Sequence, residues 1–340
     1  MGIMKKVTLG STKIEVPKNG FGALPIQRIS EKDAVYLLQK ALAHGMYYFD
    51  TARFYTDSES KLGAAFHDRR EQIIISSKTG ATKVSDFWKD LETSLSLLKT
   101  DHIDIYQFHN PAFCPKPDDG TGLYEAMLEA KKQGKILHIG ISNHRLAVAQ
   151  EAIDSGLYET LQFPLSYLSN GDDMALVRFC MEADMGFIAM KALAGGLITC
   201  ASAAYAFLDM FKNVVPIWGI QRESELDEFI GFQENPPTLT DENIAIIRKD
   251  REELIGNFCR GCGYCEPCPA GIEINNCNRM SLFLKRAPLS VYLTAEWAEK
   301  MKKIENCLHC GQCAKKCPYG LNTPELLQQN YEDFKKMWKY

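Results

Sequence analysis

The fold class is indicated most clearly by residues 73–109, which read IIISSKTGATKVSDFWKDLETSLSLLKTDHIDIYQFH. Two short apolar runs, IIISSKT (73–79) and IDIYQFH (103–109), flank the segment DFWKDLETSLSLLK (86–99), in which apolar residues recur every three or four positions. This order predicts a strand, a helix and a second strand. A helical crossover of this length joins neighbouring parallel strands, so the stretch predicts one repeat of an α/β fold.

The same alternation of strand and helix patterns runs from residue 20 to about residue 232. The predicted strands are GFGALPI, YYFDTA, IIISSKT, IDIYQFH, ILHIGIS, ETLQFPLS, GFIAMKA and VPIWGI. Parallel sheets of this kind are either open and doubly wound or closed into a barrel. Eight units without an early G-x-G-x-x-G favour the (β/α)8 TIM barrel. The preceding VTLGSTKIEVP predicts a short hairpin that caps the barrel floor.

Composition limits the function classes. The chain of 340 residues is 46% apolar and 24% charged, as expected for globular domains with a sizeable core. Its net charge of −4, without a sustained basic block, gives no footprint for nucleic acid and favours a small-molecule substrate. The N-terminal residues lack the apolar run of a signal peptide, and no stretch reaches the roughly 18 apolar residues that cross a bilayer. We therefore expect a cytoplasmic protein without a membrane partner.

Polar residues stand where the predicted strands end. Barrel enzymes carry their chemistry at the C-terminal ends of the strands. In strands two to seven those positions are Asp50, Lys78, His109, Ser142 with Asn143, Gln162 and Lys191. Any one of these residues could be a structural ion pair or a satisfied buried polar group. Their convergence at one end of the barrel favours an active site.

Several segments resemble the aldo-keto reductase superfamily in order and spacing. They are FDTARFYTDSESKLGAAF, SSKTG, DIYQFHNP, GKILHIGISNH and FIAMKALAGG. The resemblance implies an oxidoreductase that interconverts carbonyls and alcohols, with Asp50, Tyr55, Lys78 and His109 as its catalytic tetrad. Hydride addition to a carbonyl creates an alkoxide, which needs a proton donor such as Tyr55. A tyrosine pKa lies near ~10, and a cation such as Lys78 would stabilise the phenolate. Asp50 would orient Lys78, and His109 would complete the hydrogen bonding around the carbonyl oxygen.

The resemblance also implies a nicotinamide cofactor, NAD or NADP, with Ser142, Asn143 and Gln162 around the carboxamide. The sequence departs from the family pattern at Met190, where relatives have an aromatic residue against the ring. The positions implied for the adenosine end are Gly219, Arg222 and Glu225. Arg222 could bind a phosphate, whereas Glu225 would repel one and could accept from a ribose 2′-OH. The same residues also suit an ordinary helix start, so a preference for NADP is left open.

Two cysteine runs follow the barrel pattern, and the chain has twelve cysteines in all. Reduced cytosolic cysteines point to metal ligation rather than disulfides. CLHCGQCAKKCP (307–318) has the C-x2-C-x2-C-x3-C-P spacing of bacterial two-cluster ferredoxins, and CRGCGYCEPCP (259–269) has one residue fewer before Cys-Pro. On that pattern one [4Fe-4S] cluster is ligated by Cys259, Cys262, Cys265 and Cys317, and the second by Cys307, Cys310, Cys313 and Cys268. Four-cysteine zinc sites are the main alternative, and Cys277 could replace Cys268.

These observations predict three parts: a barrel over residues 1–235, a linker helix over 236–257 and a ferredoxin-like domain over 258–340. A C-terminal helix should pack its apolar stripe, Leu327, Tyr331, Phe334 and Trp338, against the barrel. The layout resembles an iron-sulfur branch of the aldo-keto reductases.

The combination leaves three hypotheses, because nicotinamide moves two electrons as a hydride and clusters move one at a time. The first is an NAD(P)-linked carbonyl reductase or alcohol dehydrogenase whose clusters exchange electrons with a ferredoxin or another electron-transfer protein, or are mainly structural. The second is a nicotinamide-independent reductase that a ferredoxin drives. The third is a non-catalytic electron carrier or redox sensor on a barrel scaffold.

Overall fold

The computed structural model describes residues 5–254, 258–286 and 289–338. The chain separates into two compact units. The first unit comprises Met1–Ala192 and Ser202–Asn243, and the second comprises Leu193–Ala201 and Ile244–Tyr340. The segment Leu193–Ala201, which follows the seventh barrel strand in sequence, therefore belongs to the C-terminal unit.

The first unit is a closed barrel of eight parallel strands, which confirms the predicted fold. Pairing of the last strand with the first closes the sheet: Trp218 lies opposite Phe21 in that ladder. The strands are β3 (Gly20–Gly22), β4 (Tyr48–Asp50), β5 (Ile74–Thr79), β6 (Ile103–His109), β7 (Ile136–Ser142), β8 (Thr160–Pro164), β9 (Gly186–Met190) and β10 (Val214–Gly219).

One helix follows each barrel strand, as the alternating pattern predicts. The helices are α1 (Glu31–Ala43), α2 (Ser58–Phe66), α3 (Val84–Leu98), α4 (Leu123–Lys132), α5 (Leu146–Ser155), α6 (Gly171–Glu182), α7 (Ala201–Asp209) and α8 (Glu223–Glu234). Each strand thus delivers its last residue to the same end of the barrel, where the loops into the helices begin.

A short antiparallel hairpin of β1 (Lys6–Thr8) and β2 (Glu15–Pro17) precedes the barrel, as predicted. Its buried residues Val7 and Val16 share one apolar cluster with the barrel residues Tyr48, Ile105 and Val215. The turn needs glycine at position 10, because the backbone there has φ +50° and a Cβ atom would lie 2.3 Å from the Asp184 carbonyl oxygen.

The second unit is built from helices, most of them short, and the first begins just before the boundary of this unit at Ile244. They are α9 (Asp241–Glu253), α10 (Ile274–Cys277), α11 (Met280–Arg286), α12 (Leu289–Tyr292), α13 (Ala295–Lys302), α14 (Gln312–Lys316) and α15 (Thr323–Met337). α9 corresponds to the predicted linker helix, and the Thr240 hydroxyl accepts a hydrogen bond from the Asn243 amide at 3.3 Å at its start. Residues 255–257 of that prediction lie outside the described residues.

The stripe of α15 lies in the core of the second unit, whereas the sequence predicts packing against the barrel. Leu327, Tyr331 and Phe334 are buried in one cluster with residues of α10, α11 and α13, and Trp338 packs against it partly buried. Each of these short helices presents too little apolar surface to form a core alone, and α15 supplies the missing face. Within the described ranges, no helix is both long and apolar enough to cross a membrane.

Two helical glycines of the barrel differ in how closely neighbouring atoms approach them. A Cβ on Gly63 of α2 would lie 2.1 Å from the Leu97 carbonyl oxygen of α3, whereas one on Gly231 of α8 would meet nothing within 4 Å. We expect Gly63→Ala to lower the free energy of unfolding by about 1–3 kcal/mol, because the two helices must separate. Gly231→Ala should raise it by about 0.5–1 kcal/mol. Anaerobic denaturant unfolding followed by circular dichroism measures both, and equal effects would contradict the close approach.

Candidate active site and iron-sulfur sites

A buried ion pair lies at the carboxyl ends of β4 and β5. Lys78 Nζ donates to both carboxylate oxygens of Asp50, at 2.8 and 2.7 Å, and to the Thr51 carbonyl oxygen at 2.6 Å. The side chains of Lys78 and Asp50 are only 1% and 3% exposed. Burial raises the pKa of Asp50 and lowers the pKa of Lys78, and the charge of each partner opposes the shift. Each charged group therefore depends on the other, and removing either would leave a buried charge uncompensated.

Tyr55 and His109 complete the predicted tetrad around this pair. Lys78 Nζ lies 5.3 Å from the centroid of the Tyr55 ring, and the rings of Tyr55 and His109 meet edge to face with centroids 5.8 Å apart. Burial, followed by the positive charge of Lys78, lowers the pKa of His109 to about 3. The imidazole is thus neutral near pH 7 and can donate one hydrogen bond without adding charge. The structure brings the four predicted residues together, and their catalytic roles remain a proposal.

A network of buried hydrogen bonds extends from Asp50 across the barrel interior. The Ser76 hydroxyl donates to Asp50 at 3.1 Å, and Gln107 Nε2 donates to Ser76 Oγ at 2.7 Å. Gln107 Nε2 also donates to Gln162 Oε1 at 2.8 Å, and Gln162 Nε2 donates to Asp50 at 3.3 Å. The network fixes the orientation of the Asp50 carboxylate.

Sequence reasoning missed Ser76 and Gln107, although a signal was present. Each stands two residues before a predicted catalytic residue on the same strand, Ser76 before Lys78 and Gln107 before His109. Residues i and i+2 of a strand share one face, so the alternation could have placed both side chains on the inward face.

Phe54 is a third residue that the sequence patterns did not indicate. Its side chain is 64% exposed, and its ring centroid lies 5.8 Å from that of His109. A Cβ on Gly80 would lie 1.9 Å from the Phe54 ring, so the glycine leaves room for it. An exposed aromatic residue beside Tyr55 and His109 offers an apolar contact for a substrate. Its position directly before Tyr55 in the sequence was the available signal.

The residues predicted to hold the nicotinamide carboxamide lie on neighbouring strands. Ser142 at the end of β7 pairs with Gln162 of β8, and Asn143 follows. The Asn143 side chain donates to the Pro111 carbonyl oxygen at 2.9 Å and accepts from two backbone amides. Both Asn143 and Gln162 therefore already have hydrogen-bond partners within the barrel. Met190, at the end of β9, is partly buried and packs against the apolar cluster inside the barrel.

The residues predicted for the adenosine end form a helix start. Gly219 ends β10, and α8 begins at Glu223. The Glu225 carboxylate accepts from the backbone amides of Gln221 and Arg222 at 2.9 and 3.1 Å, and Arg222 Nε donates to it at 2.9 Å. The Arg222 charge is thus paired with Glu225. The residue types suit a ribose, and a 2′-phosphate would have to compete with Glu225 for the exposed guanidinium of Arg222.

The cysteines of the two runs line two cavities in the second unit. One cavity is lined by Cys259, Cys262, Cys265 and Cys317. The other is lined by Cys268, Cys307, Cys310 and Cys313, and also by Cys265. The structure therefore groups the eight cysteines as the spacing predicts, with the fourth cysteine of each run beside the first three of the other. The ligand assignment itself remains a prediction.

The spread of the sulfurs fits a cluster better than a single ion. In the described part of the chain, no three His, Cys, Asp or Glu side chains come close enough to hold one metal ion. A tetrahedral zinc site needs four thiolates about 2.3 Å from one ion, whereas a cubane takes one thiolate on each of its irons. Cys277 lines neither cavity. It is fully buried in the core of the second unit, with Sγ 3.9 Å from the Lys300 carbonyl oxygen.

Arg279 ties the first cysteine run to the segment Leu193–Ala201 within the second unit. Its guanidinium donates to the Gly195 carbonyl oxygen at 2.6 Å and to the Asn275 carbonyl oxygen at 3.0 Å. Gly261 lies so close that a Cβ there would be 2.7 Å from the guanidinium carbon. The Gly261 amide in turn donates to Cys259 Sγ at 3.4 Å. Arg279 therefore holds the loop of the first cysteine run and the Leu193–Ala201 segment together, and no spacing in the sequence signals this.

Comparisons with known proteins agree with this description. Residues 18–206 match the model of the aldo/keto reductase family, and residues 258–322 match that of a 4Fe-4S dicluster domain. The chain is 28% identical over 215 residues to the uncharacterized oxidoreductase YqkF of Bacillus subtilis. This alignment covers 58% of this chain and 67% of that protein. It is 30% identical over 210 residues to L-galactose dehydrogenase of Arabidopsis thaliana. That alignment covers 56% of this chain and 66% of that protein. The chain thus spans about two thirds of the length of these relatives.

A solved structure shows the same fold. An aldo-keto reductase from Klebsiella pneumoniae, crystallised in complex with NADPH, superposes with a TM-score of 0.61 at 21% sequence identity. The match covers 73% of this chain and 95% of that protein. At this identity the likeness concerns the fold alone.

The two cavities predict different effects of two cysteine substitutions. Cys268→Ala should lower the iron and acid-labile sulfide content by about half, because it removes one of four ligands from the second cavity. Cys277→Ala, at a buried position outside both cavities, should leave the content unchanged. Iron and sulfide analysis of anaerobically purified protein measures both. A loss of iron in Cys277→Ala with none in Cys268→Ala would assign Cys277 as the ligand instead.

The low pKa of His109 predicts that its imidazole stays neutral from about pH 8 to about pH 5. In the unfolded chain the imidazole takes up a proton near pH ~6.5, whereas in the folded protein it stays neutral down to pH values near its pKa of about 3. The folded state should therefore lose stability relative to a His109→Asn variant as the pH falls below ~6.5. Nitrogen NMR of the imidazole, assigned with that variant, should show no titration from about pH 8 to about pH 5. A titration near pH 6.5 would contradict the buried, Lys78-adjacent environment.

Proposed function

The chain belongs to the aldo/keto reductase family, and we propose that it interconverts carbonyl compounds and alcohols at the carboxyl ends of the barrel strands. The observation that carries this proposal is the position of Lys78. Its ammonium group is bound by Asp50 at 2.7 Å and lies 5.3 Å from the Tyr55 ring. A cation fixed beside a phenol is what a tyrosine proton donor requires.

Tyr55 donates its hydroxyl proton to the carbonyl oxygen in this proposal. A nicotinamide, when bound, supplies the hydride to the carbonyl carbon. One hydride and one proton convert a ketone or aldehyde into an alcohol, so electrons and hydrogens balance. Lys78 stabilises the negative charge that remains on Tyr55, and Asp50 holds Lys78 in place. His109, which is neutral, donates a hydrogen bond to the same carbonyl oxygen.

Ser142, Asn143 and Gln162 would hold the carboxamide, with Met190 against the ring, and Gly219, Arg222 and Glu225 would lie at the adenosine end. The Klebsiella relative was crystallised with NADPH. In this chain Arg222 is already paired with Glu225, and an acidic residue suits the 2′-OH of NAD. We therefore propose NAD(P) as cofactor without a preference for NADP.

The two cysteine-lined cavities would hold two [4Fe-4S] clusters, in agreement with the dicluster domain that residues 258–322 match. Such clusters, when bound, exchange single electrons. We propose that an electron-transfer protein is the partner in that exchange, and that a small molecule is the substrate of the barrel. We also propose a cytoplasmic location, where the cysteines stay reduced.

One observation favours a second candidate, a reductase that does not use nicotinamide. The amides of Asn143 and Gln162 are already bound within the barrel, to Pro111 and Asp50 among others. They would have to exchange these partners to bind a carboxamide. A non-catalytic carrier is less well supported, because a scaffold needs no buried ion pair beneath Tyr55.

Tyr55→Phe tests the proposed chemistry. We expect carbonyl reduction to fall about 100-fold or more, because the variant lacks the proton donor. Tyr36→Phe is the matched control, since Tyr36 is exposed on α1 and hydrogen-bonded to Glu223, and it should keep wild-type activity. Turnover of a panel of small aldehydes and ketones is measured anaerobically with NADH, NADPH and reduced methyl viologen as separate donors. An unchanged rate in Tyr55→Phe with every donor would refute the proposal.

A further inference from the structure

We propose that the exposed surface around Cys310 is a docking site for an acidic one-electron carrier protein of the ferredoxin or flavodoxin type. We call it the 302–316 surface and define it by its exposed residues Lys302, Lys303, Glu305, Asn306, Leu308, His309, Cys310, Gln312, Lys315 and Lys316. The inference rests on the proposed function, which includes an electron-transfer partner. It adds the place where that partner binds and the charge that the partner must carry.

Exposure of the ligands distinguishes the two cysteine-lined cavities. Cys310 is the one exposed cysteine of the described chain, whereas Cys259 and Cys265 are buried. A cluster bound by Cys307, Cys310 and Cys313 therefore has at least one ligand at the surface. A partner protein can approach this cluster through Cys310 without any rearrangement of the second unit.

The apolar centre of the surface is Leu308. Its side chain is 66% exposed, which is the largest value of any large apolar side chain in the described residues. It lies between Cys307 and Cys310 in the loop that lines the second cavity. Transient protein interfaces have a small apolar centre and a polar rim, so an exposed leucine on a cluster loop suits one.

Four exposed lysines flank this loop in the sequence, two on each side. Lys302, Lys303, Lys315 and Lys316 are exposed, and none of them forms a salt bridge with another described residue. Elsewhere in the same unit Lys300, Lys335 and Lys336 are paired with carboxylates. The stretch 302–316 contains these four lysines and a single acid, Glu305, so its lysine and glutamate side chains together contribute +3 in a chain of net charge −4.

Charge complementarity identifies the occupant. The positive charges of these lysines repel each other in the free protein, and an acidic partner relieves that repulsion when it binds. The same charges steer an acidic partner toward the surface. Residues 302–316 contain none of the arginines and aromatic residues that nucleic-acid surfaces usually combine. In each encounter the partner's redox centre loses the one electron that the chain gains, or the reverse, so no further reactant is needed.

The experiment measures binding directly. Full-length protein with its clusters is titrated anaerobically by calorimetry with a purified bacterial ferredoxin of strongly acidic surface, at low ionic strength. The test variant is Lys315→Glu with Lys316→Glu. The control variant, Lys335→Glu with Lys336→Glu, makes the same charge change in the last turn of α15. Those residues lie about 16 Å along the helix axis from Pro324, which lines the second cavity.

We expect the Kd of the test variant to rise about tenfold or more and that of the control to change less than about twofold. Wild-type affinity should fall as the salt concentration rises toward physiological values, because exposed charges are screened beyond about 8 Å. Leu308→Ser should weaken binding by a few-fold at every salt concentration, since it removes an apolar contact. Iron content and the electron paramagnetic resonance signal of each variant show that the clusters are intact.

Equal affinity in the test and control variants would overturn the proposal. So would tighter binding to duplex DNA or to anionic phospholipid vesicles than to the ferredoxin, since either would assign the surface to another class of partner. The proposed function can fail separately. If the ferredoxin binds with the expected lysine dependence but no donor supports carbonyl reduction, the docking site stands and the reductase does not. If reduced methyl viologen drives Tyr55-dependent reduction while the ferredoxin fails to bind, the reductase activity stands and the docking site does not.

Discussion

The candidate active site depends on the contact between Lys78 and Asp50. Neither charge would be tolerated alone in the barrel interior, where each side chain is almost inaccessible to water. Together they place a cation under the ring of Tyr55 and close to His109, whose pKa that cation helps to lower. The hydrogen bonds from Ser76 and Gln162 fix the carboxylate. The barrel makes the pair possible by bringing the ends of two neighbouring strands into register.

Much of the barrel could be predicted because each element carries its own periodic signal. The strand Ile103–His109 and the strand Ile136–Ser142 have the predicted bounds, and the last residues of the strands could be assigned to one end of the sheet. The network through Ser76 and Gln107 could not be predicted in the same way, because it depends on which inward side chains meet across four strands. The pairing of Arg222 with Glu225 depends on the geometry of one helix start, which the residue types alone leave open.

The C-terminal unit was less predictable for a physical reason. Apart from α9 and α15 its helices are short, and α10 has only the residues Ile274–Cys277, so no single amphipathic pattern defines the core. Cysteine spacing alone indicated how the eight thiols are grouped, because three cysteines at steps of three fit one tight loop. The position of α15 in the core of this unit, and the contacts of Arg279 with Gly195 and Asn275, come from tertiary packing that spacing does not encode.

The origin of the hydrogen that is added to the substrate distinguishes hydride transfer at the barrel from electron delivery through the clusters. Methylglyoxal, as a small carbonyl probe, is reduced anaerobically with NADH or NADPH that carries deuterium at both positions of nicotinamide C4, and the product alcohol is analysed by mass spectrometry. We predict that one deuterium appears on the carbinol carbon with wild-type protein, and that Tyr55→Phe forms almost none of this product. Alcohol that is formed without deuterium from either nucleotide, or only when reduced methyl viologen is present, would contradict hydride transfer at the barrel site.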